Sequence, residues 1–120
     1  MTKLRVGCLQ LNLEKSENFE LVREKVLSFK GDACDLIVLS ELCVGGPGPE
    51  NSQHYLGAYE ERLSVLAKEL DVWLIPGTFY EKIGEQIFNI APVLNPDGEI
   101  VQKCKKNFPL LPYEKGVALS

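Results

Sequence analysis

The sequence predicts an α/β chain with a mixed β-sheet and helices on one face. Three observations carry that prediction. Two short apolar runs, Leu36–Leu39 and Val72–Ile75, have the length and composition of strands covered on both faces. Two longer segments place apolar residues at helical spacing. A turn signal, Asn95-Pro-Asp-Gly98, then joins two extended runs. The order is β-α-β-α-β followed by an antiparallel hairpin.

Taken in order, Leu4 to Leu11 reads as the first strand, with Leu4, Val6 and Cys8 alternating before Leu9 and Leu11 break the phase. Ser16 suits an N-cap, and Glu17 and Glu20 suit a first helical turn. Phe19, Val22, Val26 and Phe29 form an apolar stripe, Lys25 and Lys30 sit near its end, and Gly31 fits the position after the helix. The second strand runs from Cys34 to Leu39 and delivers Ser40-Glu41 at its carboxyl end. Leu42 to Glu50 holds two prolines and three glycines, which exclude regular structure. It lacks both Gly-x-Gly-x-x-Gly and a Walker lysine, so it reads as a loop flanking a site rather than a phosphate cradle.

Tyr59, Leu63, Leu66, Ala67 and Leu70 lie on one face of a second helix from about Gly57 to Leu70. Val72–Ile75 is the third strand, closed by Pro76-Gly77. Ile87 to Leu94 and Glu99 to Lys105 flank the Pro-Asp-Gly turn as a hairpin, and Asn107 to Ser120 reads as loop. The helices cover one face of such a sheet. Little chain is left to cover the other, so the open face is a pairing surface and the 120 residues resemble part of a larger unit.

Composition narrows the function. A length of 120 residues fits one domain spanning 1–120, and 45% hydrophobic with 25% charged residues is ordinary for a globular protein. A net charge of −4 argues against nucleic acid, and Lys103, Lys105 and Lys106 are too short a basic cluster to reverse that. No run approaches the roughly 18 apolar residues of a membrane helix. The chain starts directly into a strand, so the expected location is the cytoplasm. Cys8, Cys34, Cys43 and Cys104 are widely spaced without Cys-x-x-Cys, which fits buried thiols in a reducing compartment rather than a zinc site. His54, the sole histidine, reads as structural or solvated.

Three residues are candidates for chemistry. Glu41 ends a buried strand, where a carboxylate partly desolvated by the apolar run before it suits a general base; a solvent-facing or capping glutamate fits the same position. Lys106 could stabilise an oxyanion or belong to a solvated basic face. Glu114, in Pro112-Tyr-Glu-Lys115, could hold that lysine charged or be a surface residue.

The order of these features resembles the N-terminal half of the nitrilase superfamily of carbon–nitrogen hydrolases. Leu4-Arg-Val-Gly-Cys-Leu-Gln-Leu11 is similar to that family's first strand, and Leu39-Ser40-Glu41-Leu42 to its glutamate segment, with Ser40 where a proline is usual. Pro96-Asp-Gly-Glu-Ile-Val101 and Cys104-Lys105-Lys106-Asn107-Phe108 are similar to its hairpin and lysine segment, with Lys105 in place of an arginine and Phe108 in place of a histidine. Tyr113-Glu114 and Asn89 match two further recurrent features. The resemblance implies an α-β-β-α sandwich of which this chain supplies roughly the first half. It implies a glutamate–lysine–cysteine triad with Glu41 as base, Lys106 (or Lys105) stabilising charge, and Glu114 as an additional carboxylate. The resemblance further implies a nucleophilic cysteine after a strand of the second half, in a segment like Cys-Tyr-Asp that is absent here, so it is expected beyond Ser120; Cys43 and Cys104, near neighbours in sequence of Glu41 and Lys106, would mostly point elsewhere. The implied activity is hydrolysis of a small amide or nitrile by a homo-oligomer, with no metal or organic cofactor. A non-catalytic half-domain that binds or assembles through its open sheet is the alternative, and an unrelated small α/β binding domain is a third reading.

Overall fold

A computed structural model describes residues 3–13, 17–110 and 114–120. Among them are six strands and two α-helices: β1 (Val6–Leu9), α1 (Phe19–Leu27), β2 (Leu36–Leu39), α2 (Glu60–Leu70), β3 (Trp73–Ile75), β4 (Phe79–Ile83), β5 (Gln86–Leu94) and β6 (Ile100–Lys105). β1, β2 and β3 are parallel, and β5 joins them antiparallel through Leu74 opposite Leu94. Both β4 and β6 pair antiparallel with β5. The mixed α/β fold predicted from the sequence is therefore present.

Each helix owes its place to its apolar stripe. Phe19, Val22 and Val26 of α1 and Leu63, Leu66 and Ala67 of α2 are buried together with Ile37, Leu39, Leu74, Ile90 and Leu94 of the sheet. Asp71, in the left-handed region at φ +54°, ends α2. Ser16, the expected N-cap, lies outside the described residues; α1 begins at Phe19, whose N–H donates to the Glu17 carboxylate at 2.7 Å. Phe29 lies beyond the helix in turns that continue to Lys30, yet its ring still packs where a side chain on Gly7 would be.

The opposite face of the sheet is open. Paired residues project to the same side, so the register aligns Val6, Leu36 and Trp73 in one row and Cys8, Val38 and Ile75 in the next. Val6 and Trp73 each remain 43% exposed.

Several boundaries differ from the sequence prediction, among them the start of β2 at Leu36 rather than Cys34, and one strand is additional. β1 is only Val6–Leu9, because β2 offers it only four partners. The second helix is preceded by a separate 3₁₀ turn at Leu56–Ala58, and α2 starts at Glu60. The strand β4 was not predicted. Its Phe79-Tyr80-Glu81-Lys82-Ile83 lacks clean alternation, and its turn is only Gly84-Glu85, with Gly84 at φ +62° as the first position of a type II′ hairpin allows. The predicted hairpin forms: Gly98 N–H donates to Asn95 O at 2.9 Å, and the Asn95 side chain accepts from Asp97 and Glu99 N–H groups.

Candidate active site

The end of β2, the middle of β5 and the end of β6 deliver three side chains to one point. Lys106 directly follows β6, and its N–H donates to Asn89 O at 2.8 Å, which extends the ladder by one residue. Alternation then turns Lys106 and Lys105 to opposite faces. Lys105 lays its ammonium 4.2 Å over the Phe88 ring, whereas Lys106 Nζ donates to Glu41 Oε2 at 2.8 Å and to Glu114 Oε1 at 2.7 Å. Lys106 rather than Lys105 thus meets the carboxylates.

Asn89 completes the cluster. Its Nδ2 donates to Glu41 Oε2 at 3.0 Å and Glu114 Oε2 at 2.8 Å. Asparagine is uncommon in strand interiors, and one that is 1% exposed in β5 is a signal in its own right. Glu114 is 4% exposed and also accepts Leu110 N–H at 2.9 Å. Tyr113, paired with Glu114 in the sequence reading, lies outside the described residues.

Burial pushes the Glu114 pKa up, but hydrogen bonds from Lys106, the Leu110 N–H and Asn89 outweigh it and hold the carboxyl below its ordinary value. Hydrogen bonds to Glu114 and then Glu41 raise Lys106 above its ordinary value, against a smaller opposing effect of burial. Both groups are thereby held charged. The Glu41 side chain is 50% exposed, so residues 1–120 do not themselves supply the desolvation expected for it.

These shifts make a stability prediction. A depressed carboxyl stabilises the fold above its unfolded pKa, and that contribution fades as pH falls through the folded value. Glu114→Gln should cost about 2 kcal/mol at pH 7, and the gap from wild type should close on acidification below the ordinary 4.5. Lys106, raised, adds stability below its ordinary 10.5 that is lost only as pH climbs through the higher folded value. Urea midpoints of both proteins from pH 2 to 7 test this. A gap unchanged across that range contradicts the assignment.

Tyr80, on the unpredicted β4 and opposite Asn89, is a neighbour that sequence reasoning missed. Its hydroxyl is buried beside the Glu114 carboxylate, short of well-formed hydrogen-bond geometry. Burial first, then the nearby Glu114 charge, raises its pKa, so it stays a protonated phenol facing the cluster. Its ring meets Tyr55 edge-on at 6.4 Å, and Tyr55 in turn donates its hydroxyl to Pro49 O, which ties the glycine–proline loop to the site.

None of the four cysteines hydrogen-bonds to Glu41 or Lys106 among the described residues. Cys43 is buried, its Sγ donates to Pro76 O at 3.4 Å, and burial pushes the thiol up to about 11. A thiol so protonated is a poor nucleophile at neutral pH. Cys104 is exposed on β6, opposite Ala91. His54 Nδ1 lies 3.1 Å from the Tyr59 hydroxyl, a structural contact. Among the described residues, no group of three or more His, Cys, Asp or Glu is arranged to hold a metal ion, and no helix is long and apolar enough to cross a membrane.

The cluster thus pairs a half-exposed carboxylate with an ammonium anchored from behind by a buried carboxylate. The family model described as carbon–nitrogen hydrolase matches residues 5–117. The chain belongs to the carbon–nitrogen hydrolase family. A hydrolase from Schizosaccharomyces pombe is 31% identical over 110 residues, covering 85% of this chain and 34% of that protein. The omega-amidase of Xenopus tropicalis is 29% identical over 113 residues, 88% of this chain and 41% of the relative. A mutant amidase from Nesterenkonia sp., whose active-site cysteine has undergone Michael addition of acrylamide, superposes with a TM-score of 0.83 at 17% identity, covering 98% of this chain and 50% of that one. This carbon–nitrogen hydrolase chain therefore has the fold of nitrilase-superfamily amidases, and it spans about a third to two fifths of the curated relatives it matches and about half of the solved chains.

Proposed function

We propose that residues 1–120 are the N-terminal part of a domain that hydrolyses a small amide or nitrile through a cysteine acyl-enzyme. The observation that carries this reading is the Lys106 ammonium held between Glu41 at 2.8 Å and Glu114 at 2.7 Å. Glu41 takes the thiol proton, the thiolate attacks the amide or nitrile carbon, and Lys106 stabilises the negative charge that develops. With an amide, Glu41 returns the proton to the departing ammonia or amine; with a nitrile, the attack gives a thioimidate that takes up one water before ammonia leaves. In both cases a further water then releases the acid from the thioester. Glu114 keeps Lys106 charged and aimed. The reaction needs no metal or organic cofactor.

The nucleophile comes from outside residues 1–120, so this segment alone does not turn over substrate. The Nesterenkonia amidase, with its active-site cysteine, supports a thiol in that role. On this reading the completed protein is a cytoplasmic homo-oligomer without nucleic-acid or membrane partners; the net charge of −4 supports the absence of a nucleic-acid partner alone. In the full-length protein, Glu41→Gln should lower turnover by roughly 10²–10⁴-fold while leaving the fold intact. Near-normal amide hydrolysis by that variant sinks the base assignment. The open sheet face, with Val6 and Trp73 exposed, favours a second reading, a non-catalytic half that assembles through that face. The intact mass of the single chain isolated from its natural source decides it: a mature 13.4 kDa product supports assembly, and a much larger chain supports the hydrolase.

A further inference from the structure

β3 and β4 lie along the same edge of β5. Leu94 pairs with Leu74 and Ile100, and Ile90 with Phe79 and Lys105, so β6 occupies the other edge throughout. Between β3 and β4 the chain leaves the sheet at Pro76-Gly77-Thr78. The turn that carries Glu41 fills this gap. Ser40 O sits against Gly77 so closely that a Cβ there would overlap it. Cys43 Sγ contacts Pro76 O at 3.4 Å, and Leu42 N–H donates to Thr78 Oγ1 at 3.1 Å.

Thr78 holds a strained point. Leu42 stands at φ +54°, a left-handed conformation that costs a branched side chain roughly 1–2 kcal/mol. Its N–H shares a rigid peptide plane with the Glu41 carbonyl. The Thr78 hydroxyl therefore fixes the plane from which the Glu41 side chain departs toward Lys106 and Asn89. Without that acceptor, the partly buried Leu42 N–H loses its partner and Leu42 is free to relax toward negative φ.

We propose that Thr78 is a positioning residue for Glu41, acting through the Leu42 amide to hold the carboxylate in line with Lys106. The inference rests on the reading of Glu41 as the base. It assigns the strand break a task that hydrophobic packing does not require, since Thr78 is only partly buried and its contribution is one hydroxyl.

The test is a double-mutant cycle in the full-length protein with an amide substrate. Thr78→Val keeps the shape and removes the acceptor. It should lower kcat by roughly 10²-fold, as a misplacement near 1 Å does, with KM within a few-fold. Thr78→Ser should recover most of the lost rate. In a Glu41→Gln background, Thr78→Val should cost almost nothing further, because a residue acting through Glu41 has nothing left to position. Thr78→Ala replaces the valine variant if the latter fails to fold. A normal kcat in the valine or alanine variant overturns the proposal, as does an equal loss with and without Glu41. If Glu41→Gln alone keeps near-normal activity, the base assignment itself is wrong, a result distinct from a silent Thr78 in an enzyme that needs Glu41.

Discussion

Lys106→Ala should abolish useful turnover in the full-length protein, by roughly 10²–10³-fold in kcat, the loss typical of removing one oxyanion-stabilising donor. The ammonium makes two short charge-assisted hydrogen bonds, to Glu41 and Glu114, and no other described cation takes either place. Its removal leaves Glu114 at 5% side-chain exposure with only Asn89 Nδ2 and Leu110 N–H as donors. Burial then dominates, so Glu114 takes up a proton at a higher pH than in the wild type. The Lys106 side chain keeps 30% exposure, so the stability cost should be about 1–2 kcal/mol rather than the larger penalty of a fully buried pair. Two measurements separate these effects. Single-turnover kinetics reports the chemical step, and carbon NMR of the Glu114 carboxyl reports its titration. Lys106→Arg is the informative companion. It restores charge but exchanges a compact ammonium for a planar fork, and recovers little activity if the double contact needs a point donor. Full activity in the alanine variant removes Lys106 from the mechanism.

The parts of this site that were legible in the sequence are those where local chemistry and strand position agree. Glu41 follows four apolar residues, so a strand end could be read directly, and Lys106 follows a hairpin announced by Asn95-Pro-Asp-Gly98. Which lysine meets the carboxylates follows from alternation, and that needs the register: Lys105 opposes Ile90, and only then does Lys106 turn to the Asn89 side. Glu114 carried a weaker signal because its place comes from a loop that returns to hydrogen-bond Leu110 and, through Val117, to bridge Ile87. β4 was invisible for a physical reason. Phe79 faces the helices and Tyr80 faces the site, so both are buried, and the alternation that marks a half-exposed strand is absent. With β4 unseen, the break before it was unseen too. Pro76-Gly77 was legible only as the close of a strand, not as the socket for the Glu41 turn.

That socket makes Gly77→Ala the substitution with the largest expected effect on stability. Gly77 stands at φ +84°, and a Cβ there would overlap Ser40 O and come within 2.9 Å of Cys43 Sγ. The first contact is backbone, which cannot swing aside as a side chain can. Relief requires moving either the end of β2 or the start of β4, and both are fixed, by Ile37 opposite Leu74 on one side and Phe79 opposite Ile90 on the other. Overpacking and a left-handed φ together should cost about 3 kcal/mol. Gly57→Ala is the internal control, since no atom lies within 4 Å of its added Cβ and its φ is ordinary; it should be neutral or slightly stabilising. Urea denaturation of the two variants beside wild type reads the difference. A midpoint for Gly77→Ala equal to that for Gly57→Ala means that the Glu41 turn yields easily. A site that depends on a fixed Glu41 could not then be anchored at this break. If Gly77→Ala unfolds earlier while Thr78→Val keeps its midpoint but loses kcat, packing of the turn and aiming of the carboxylate are separable. The glycine then makes room for the turn, and the threonine hydroxyl sets its direction.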